Sequence, residues 1–390
     1  MKTHQSKIEK LIAELCPNGV EHKKLGEVCQ FKRGSTITKE DVTEGDVPVI
    51  AGGQKPAYYH NIANRNGETI AVSSSGAYAG FVSFWTKPIF LSDSFSVNSA
   101  PQLLMPKYVF YFLKSRQTEI HASKKGGGVP HVHGSDLAKM IIPLPPLAIQ
   151  EEIVKILNSF TELEAELEAE LEARKKQYEY YREVLWNGRK YQEVEIANLG
   201  KIITGRTPSK SQKNCWGDGI DFITPSDMQS NSKVIKGTAR GLSSDGNAKE
   251  LFKNNLLPAN SILVSCIGSD MGKTVMNSNQ AVTNQQINSI IVEMKNVIPD
   301  YIYHYLASKK DYLQMLGRSG GGTMPIINKS NFMKITVPLP PLLEQKRIVS
   351  ILDKFDALVN DISIGLPAEL SARRSQYEYY RGKLLTFKEL

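Results

Sequence analysis

The stretch IPLPPLAIQEEIVKILNSF at 142–160 returns as VPLPPLLEQKRIVSILDKF at 337–355, an offset of 195 residues. In each copy a Pro-Pro pair (Pro145 and Pro146; Pro340 and Pro341) stands where a helix begins, a place where a missing N–H costs little. Apolar residues follow at helical spacing. The first stripe runs Ile149, Ile153, Ile156, Leu157, Phe160, Leu163, Leu167, Leu171, Tyr178, Tyr181 and Leu185. The second runs Ile348, Ile351, Leu352, Phe355, Leu358, Ile362, Leu370, Tyr377 and Leu384. QYEYYR closes both arms, at 177–182 and 376–381, an offset of 199, so the second arm carries four extra residues. Gly365 and Pro367 within it predict a kink or break.

The repeat extends upstream. GGG at 126–128 recurs at 320–322, PKYVFYFL (106–113) resembles PDYIYHYL (299–306), and KLGEV (24–28) resembles NLGKI (198–202). The chain therefore reads as a head-to-tail duplication: a globular unit, a helical arm, a second unit, a second arm. Neither apolar stripe can be left in water, and each is the nearest apolar partner of the other. The long connection between the arms allows them to pack antiparallel, which gives a duplicated chain a pseudo-twofold axis. An N-terminal helix over Ser6–Leu15 is expected to pack at the Gly365–Pro367 break and complete the bundle. The middle of the first arm, LEAE (163–166), LEAE (167–170) and LEA (171–173), repeats a four-residue unit of strong helix formers. At about 1.5 Å per residue the arm spans about 60 Å and each LEAE unit adds about 6 Å. Plain filler for a solvated helix would read the same way, but only a repeated unit can be added or removed without breaking the pattern.

With 390 residues, 41% apolar and 23% charged, the chain has ordinary globular composition and is long enough for two or more domains. No run of about 18 apolar residues suggests a membrane span, and the N-terminus lacks a signal-peptide core. Cys16, Cys29, Cys215 and Cys266 are scattered without paired spacing, so neither a disulfide framework nor a zinc site is indicated. The expectation is a reduced, cytoplasmic protein. The net charge of +8 is uneven: +4 over 21–141, −5 over 147–186 and +7 over 187–337. Two basic blocks flank an acidic rod, so a polyanion would be gripped at two separated places.

Each globular unit reads as short strands with turn signals and a little helix, a mixed α+β class. In the first, 47–53, 69–76 and 80–85 are strand candidates and 106–117 a helix. In the second, 221–227, 261–268 and 287–294 are strand candidates and 299–316 a helix. The loops KRGST (32–36), SSSGAY (73–78), KKGGG (124–128), GRTPSK (205–210), NQQ (284–286) and GRSGGG (317–322) combine cations, glycine and amide or hydroxyl side chains. These are the groups that contact phosphates and read base edges, although they also populate ordinary surface loops. The candidate DNA-contacting residues are Lys32, Arg33, Ser35, Ser74, Ser75, Tyr78, Lys124 and Lys125 in the first unit. In the second they are Arg206, Lys210, Lys273, Asn284, Gln285, Gln286 and Arg318.

Catalytic motifs fit poorly. GSDMGKT (268–274) follows an apolar strand but is one residue short of the spacer a phosphate cradle needs, and VMNSNQ after it is not helical. The equivalent GAYAGFV (76–82) has no lysine, so strand–turn–strand is the expected structure, with Lys273 near a phosphate backbone. His131 and His133 have no carboxylate or cysteine at ligand spacing, which points to surface or DNA-side histidines and no metal. No dinucleotide fingerprint, nucleophile elbow or Asn-Pro-Pro-aromatic motif is present.

The ordered set of two PLPPL-x₂-Q openings (Pro143–Leu147 with Gln150; Pro338–Leu342 with Gln345), two QYEYYR tails, GGG loops and the LEAE spacer resembles the specificity (S) subunit of type I restriction-modification systems. The resemblance covers essentially the whole chain. It implies two target-recognition domains, 21–141 and 187–337, each reading one half of a bipartite DNA site. The arms 142–186 and 338–390 would form an antiparallel coiled coil, with Leu163, Leu167, Leu171, Ile348, Phe355 and Leu358 among its apolar positions, that sets the unread gap. It also implies docking of two adenine-methylating modification subunits, joined by restriction (translocase/nuclease) subunits. S-adenosylmethionine, Mg²⁺ and ATP would belong to those partners, and this chain would bind none and catalyse nothing. The alternatives are a coiled-coil adaptor that binds only protein, which leaves the basic blocks unexplained, and a nucleotide-binding enzyme using Gly268–Thr274.

Overall fold

The computed structural model describes residues 6–125, 128–187, 191–209, 213–228, 232–235, 237–244, 246–319, 324–361 and 363–390. The chain divides into two units, one of Met1–Glu166 with Ser371–Leu390, the other of Leu167–Leu370. Both boundaries fall inside the arms, so each unit owns the beginning of one arm and the end of the other.

In the first unit an antiparallel four-stranded sheet runs in the order Cys29–Arg33, Ser94–Ser99, Thr69–Ser73, Val82–Trp85. Thr69–Ser73 is buried along its whole length because it is central and covered. A three-stranded sheet of Tyr58–His60, Val47–Ile50 and Phe90–Leu91 lies in the same unit. Helix Pro106–Ser115 begins with the proline at its first turn and buries Tyr108, Val109, Tyr111, Phe112 and Leu113 in the core. The ribbon Glu21–Lys24 with Ile141–Leu144 brings the ends of the globular stretch together.

The second unit repeats the plan. Its sheet orders Gly200–Thr204, Ile287–Val292, Ile262–Ser265 and Thr274–Asn277 in the same way, then adds Val234–Ile235 parallel at the edge. Registers correspond as well: Ile70 faces Val97 in the first sheet, and Ile262 faces Ile290 in the second. A three-stranded sheet of Gly241–Leu242, Trp216–Ile223 and Ala281–Thr283 and a ribbon of Gln192–Glu195 with Thr336–Leu339 complete the match.

The PLPPL-x₂-Q openings have a structural explanation. Gln150 is fully buried: its Oε1 accepts from the Met105 N–H at 2.9 Å, and its Nε2 donates to the carbonyls of Leu103 (2.9 Å) and Pro145 (2.8 Å). Gln345 makes the same three bonds, to the Ile298 N–H (3.0 Å), Asn296 O (2.9 Å) and Pro340 O (2.9 Å). Met105 and Ile298 are the N-cap residues of helices Pro106–Ser115 and Pro299–Ser308, whose first N–H groups have no intrahelical partner. One glutamine per unit thus ties the arm's first turn to the unit's main helix.

The first arm is a single helix, Leu147–Asn187. It starts later than 142 because Ile141–Leu144 is paired in the ribbon. In the first unit Phe160 stacks near Tyr377 (6.1 Å) and Tyr380 (5.8 Å), and Arg374 pairs with Glu164 at 2.6 Å, so the two helix segments run antiparallel. In the second unit Phe355 meets Tyr178 (5.8 Å) and Tyr181 (5.4 Å), the duplicated counterpart of the same contact.

One expectation is met at the second arm and three others change. The second arm breaks, as Gly365 and Pro367 predicted, into Leu342–Val359 and Leu366–Leu384. A Cβ on Gly365 would meet Ala357 O at 2.4 Å, so the turn requires glycine there. Leu358 is 36% exposed and Val359 takes the buried place, because the helical spacing of Ile348, Leu352, Phe355 and Val359 puts position 359 on the core face; Ile362 lies outside the described residues. The helix expected over 299–316 is interrupted at Lys309 into Pro299–Ser308 and Lys310–Arg318. The N-terminal helix Lys7–Leu15, capped by Ser6, packs in the first unit: Ile8 joins the core that holds Leu385, and Lys7 pairs with Glu152. The C-terminal residues also return there, with the Val20 N–H bonded to Lys388 O at 2.9 Å.

Candidate nucleic-acid interface

Loops far apart in sequence gather at one rim of each sheet. In the first unit the rim is built from the residues after Arg33, the turn between strands Thr69–Ser73 and Val82–Trp85, and the extended segment 131–133. Gly76 and Gly80 hold φ of 82° and 83°, a region that favours glycine, and make that turn possible. The Gly76 N–H donates to Pro130 O (3.0 Å) and the Val132 N–H to Ser74 O (2.9 Å), locking segment 130–132 onto the turn. His131 and His133 are exposed and two residues apart on extended backbone, so they share a face. Their rings lie 6.2 Å apart and parallel within 4°. Phe31, Arg33, Ser74, Phe95, His131 and His133 line a cavity of about 240 Å³.

Arg65, which sequence reasoning missed, holds this rim in place. Its guanidinium donates to the carbonyls of Lys32 (2.9 Å) and Arg33 (3.0 Å) and to Ser96 Oγ (2.9 Å), and burial lowers its pKa. The neighbouring Asn64 clamps Leu91 by a pair of bonds, Nδ2 to Leu91 O (2.9 Å) and Leu91 N–H to Oδ1 (2.7 Å). The signal available was only NRNG (64–67), a loop-like string whose partners lie about thirty residues away in either direction.

In the second unit Asn255 Nδ2 donates to Thr204 O at 3.0 Å. Gly205 packs so tightly that a Cβ would meet Asn284 O at 2.1 Å. Gly268, at φ 93°, donates its N–H to Pro325 O at 3.0 Å. GSDMGKT is the turn between strands Ile262–Ser265 and Thr274–Asn277, with no helix following, so it has the strand–turn–strand geometry its short spacer predicted and does not form a phosphate cradle.

The candidate contact residues sort by environment. Lys32, Arg33, Ser35, Tyr78, Arg206, Gln285 and Arg318 are exposed, while Ser74, Gln286 and Lys273 are half-buried. Several already have partners: Ser75 donates to Asp93, Lys124 reaches Ala77 O (2.9 Å), Lys125 pairs with Asp136 (2.8 Å) and Lys273 with Asp270 (3.0 Å). The bond from Lys125 holds Asp136 below the usual carboxylate range. Thr207 Oγ1 donates to Gln285 Oε1 at 2.6 Å, and Arg206 lies 5.9 Å from the Phe252 ring. Asn284, expected to read a base, is buried and bonded to Gln286 through both ends of its amide, which makes it part of the loop's frame. Lys210 and the glycines at 126–127 and 320–322 lie outside the described residues. All four cysteines are buried and unpaired, and burial pushes Cys29 up to about 12 and Cys266 up to about 11. Among the described residues no His/Cys/Asp/Glu group is arranged for a metal ion, and no helix is long and apolar enough to cross a membrane.

Fold and rims together define an internally duplicated scaffold that carries one polar, loop-built rim on each half. The chain belongs to the type I restriction modification DNA specificity domain family, whose pattern matches residues 17–173 and 188–372. It is 35% identical to the type I restriction enzyme EcoR124I/EcoR124II specificity subunit of Escherichia coli, over 72% of this chain and 70% of that protein. It is 29% identical to the putative type I restriction enzyme specificity subunit S.HindORF215P of Haemophilus influenzae, over 99% and 100%. In fold it is similar to the crystal structure of the type I restriction-modification S subunit from M. genitalium, with a TM-score of 0.63 at 18% identity, covering 95% of this chain and 97% of that one.

Proposed function

We propose that this chain is the DNA sequence-recognition subunit of a type I restriction-modification complex, with 21–141 and 187–337 each reading one half of a bipartite site. The observation that carries the reading is the duplication: two units of the same strand order, each with its own polar rim and each drawing on the same first-arm helix. One rim per half suits a ligand contacted twice, and the +4 and +7 blocks at 21–141 and 187–337 suit a polyanion. The chain contributes recognition and no chemistry. Two modification subunits would dock on the arms and restriction subunits would join them, with S-adenosylmethionine, Mg²⁺ and ATP held by those partners.

The test is to supply this chain to modification subunits in cells and map methylated adenines. A bipartite motif that appears only with this chain supports the reading. Methylation that is absent, or independent of the chain, overturns it. A DNA mobility shift that weakens steeply with salt separates the reading from a protein-only adaptor.

A further inference from the structure

Because the chain is duplicated, its two rims can be compared residue by residue. The frame is shared. Gly76 and Gly268 make the same N–H bond to Pro130 and Pro325, at 3.0 Å each, and Val132 and Ile327 donate to Ser74 O (2.9 Å) and Cys266 O (2.8 Å). Arg33 faces Phe95 across one sheet where Thr204 faces Asn288 across the other, three residues off the KLGEV/NLGKI likeness because Leu25 bonded to Met140 O matches Ile196 bonded to Ile335 O. Inward positions of the adjoining segment keep their character: Val132 and Ile327 are buried, as are Leu137 and Phe332.

Outward positions on that frame diverge sharply. Exposed His131 corresponds to Ile326, itself 50% exposed, and the Arg33–Phe95 pair corresponds to Thr204 bonded to Asn288 at 2.7 Å. His133 corresponds to Asn328, which caps helix Lys329–Met333 by accepting the Asn331 N–H at 2.8 Å. His133 occupies the same N-cap position and makes no such bond. Folding therefore accounts for Asn328 but leaves His133 unexplained. Packing also gives no reason for Arg33 and His131, which are exposed and line the cavity.

We propose that Arg33, His131 and His133 are the specificity-determining residues of the first half, set on a backbone that the second half reuses with different side chains. The proposal rests on the reading of the chain as a DNA-recognition subunit. Arg33, whose backbone carbonyl is held by Arg65, carries only donors in a planar fork, and that fork matches the two acceptors on the major-groove edge of guanine. The histidines supply further donors and acceptors beside it.

The experiment uses the full chain assembled with modification subunits and compares wild type, Arg33→Ala, Arg33→Lys and the double variant His131→Ala/His133→Ala by methylome sequencing. Thermal unfolding of each variant checks that it folds. The expected result is roughly ten- to a hundred-fold weaker discrimination at a guanine position of the first half-sequence for both Arg33 variants. Lysine keeps the charge but not the fork, so Arg33→Lys separates base reading from phosphate attraction. The histidine pair should relax a neighbouring position, with the second half-sequence intact throughout. A folded set of variants whose first half-sequence is unchanged, or whose second half relaxes, overturns the assignment while leaving the recognition-subunit reading intact. A wild-type complex without a bipartite motif removes that reading itself.

Discussion

Gln150 and Gln345 show what a single buried amide does in this protein. Each satisfies an N–H and two carbonyls that would otherwise be sealed from water, and an unpartnered buried polar group costs about 1–3 kcal/mol. Gln150→Ala should therefore destabilise the first unit by roughly 2–3 kcal/mol, and Gln345→Ala the second by a similar amount. Urea unfolding followed by a probe in each unit would measure both. The duplicated helices also carry one site where the copies part. Tyr111 donates to Asn158 at 2.7 Å in the first unit, whereas at the equivalent place His304 and Lys233 both meet Asp353, each at 2.7 Å. Burial alone would raise the Asp353 pKa, but the bonds from His304 and Lys233 outweigh it and the net shift is downward. Lys233, which also pairs with Asp300, is shifted upward despite its own burial. A depressed carboxyl contributes stability above its unfolded pKa and loses it as pH falls through the folded one. A raised amine contributes below its unfolded pKa and loses it at alkaline pH. The cluster should hold across neutral pH and fail in acid below about 4. Asp353→Asn should lower the stability of the second unit at pH 7 and flatten its acid limb, read as unfolding midpoints between pH 3 and 7. Identical acid limbs for variant and wild type would show that the cluster contributes nothing.

At the scale of elements, each unit is closed by a helix pair drawn from both arms. Phe160 of the first arm receives the tyrosines of the second arm's tail, and Phe355 of the second receives those of the first. The QYEYYR tails are thus half of a contact whose other half lies about 200 residues away. Phe160 is only half-buried, so Phe160→Ala should cost about 2 kcal/mol, below the full core value. Deleting one LEAE unit, residues 167–170, removes about 6 Å of helix, and because 3.6 residues make a turn it rotates the C-terminal part of the helix by about 40°. The expected outcome is a bipartite methylation motif with both half-sequences kept and a shorter gap. An unchanged gap would remove the ruler role from the repeat.

At the scale of the whole molecule, the two units have separate sheets, cores and rims. Replacing residues 21–141 with the corresponding stretch of another family member should therefore change one half of the methylated motif and leave the other. A change in both halves would contradict independent reading. Much of this plan was legible in sequence. The duplication, the two arms and the break at Gly365 all arise from local patterns of proline, glycine and apolar spacing, and such patterns act within a few residues of themselves. Candidate loops were legible as a class, but not their use: Asn284 has the composition of a reader and the burial of a frame residue, while Arg65 looks like loop filler and braces two carbonyls about thirty residues away.

That this protein is one fold written twice, with a helical arm after each copy, follows from the order of its amino acids, because repetition and periodicity are properties of the chain alone. Which arm's tyrosines meet which phenylalanine, where the N-terminal helix packs, and which loop residues stand together at a rim emerge only once the chain is folded. Those pairings join groups tens to hundreds of residues apart. Such contacts are selected by simultaneous burial and hydrogen-bond satisfaction across the folded unit, and no local stretch of sequence contains both partners.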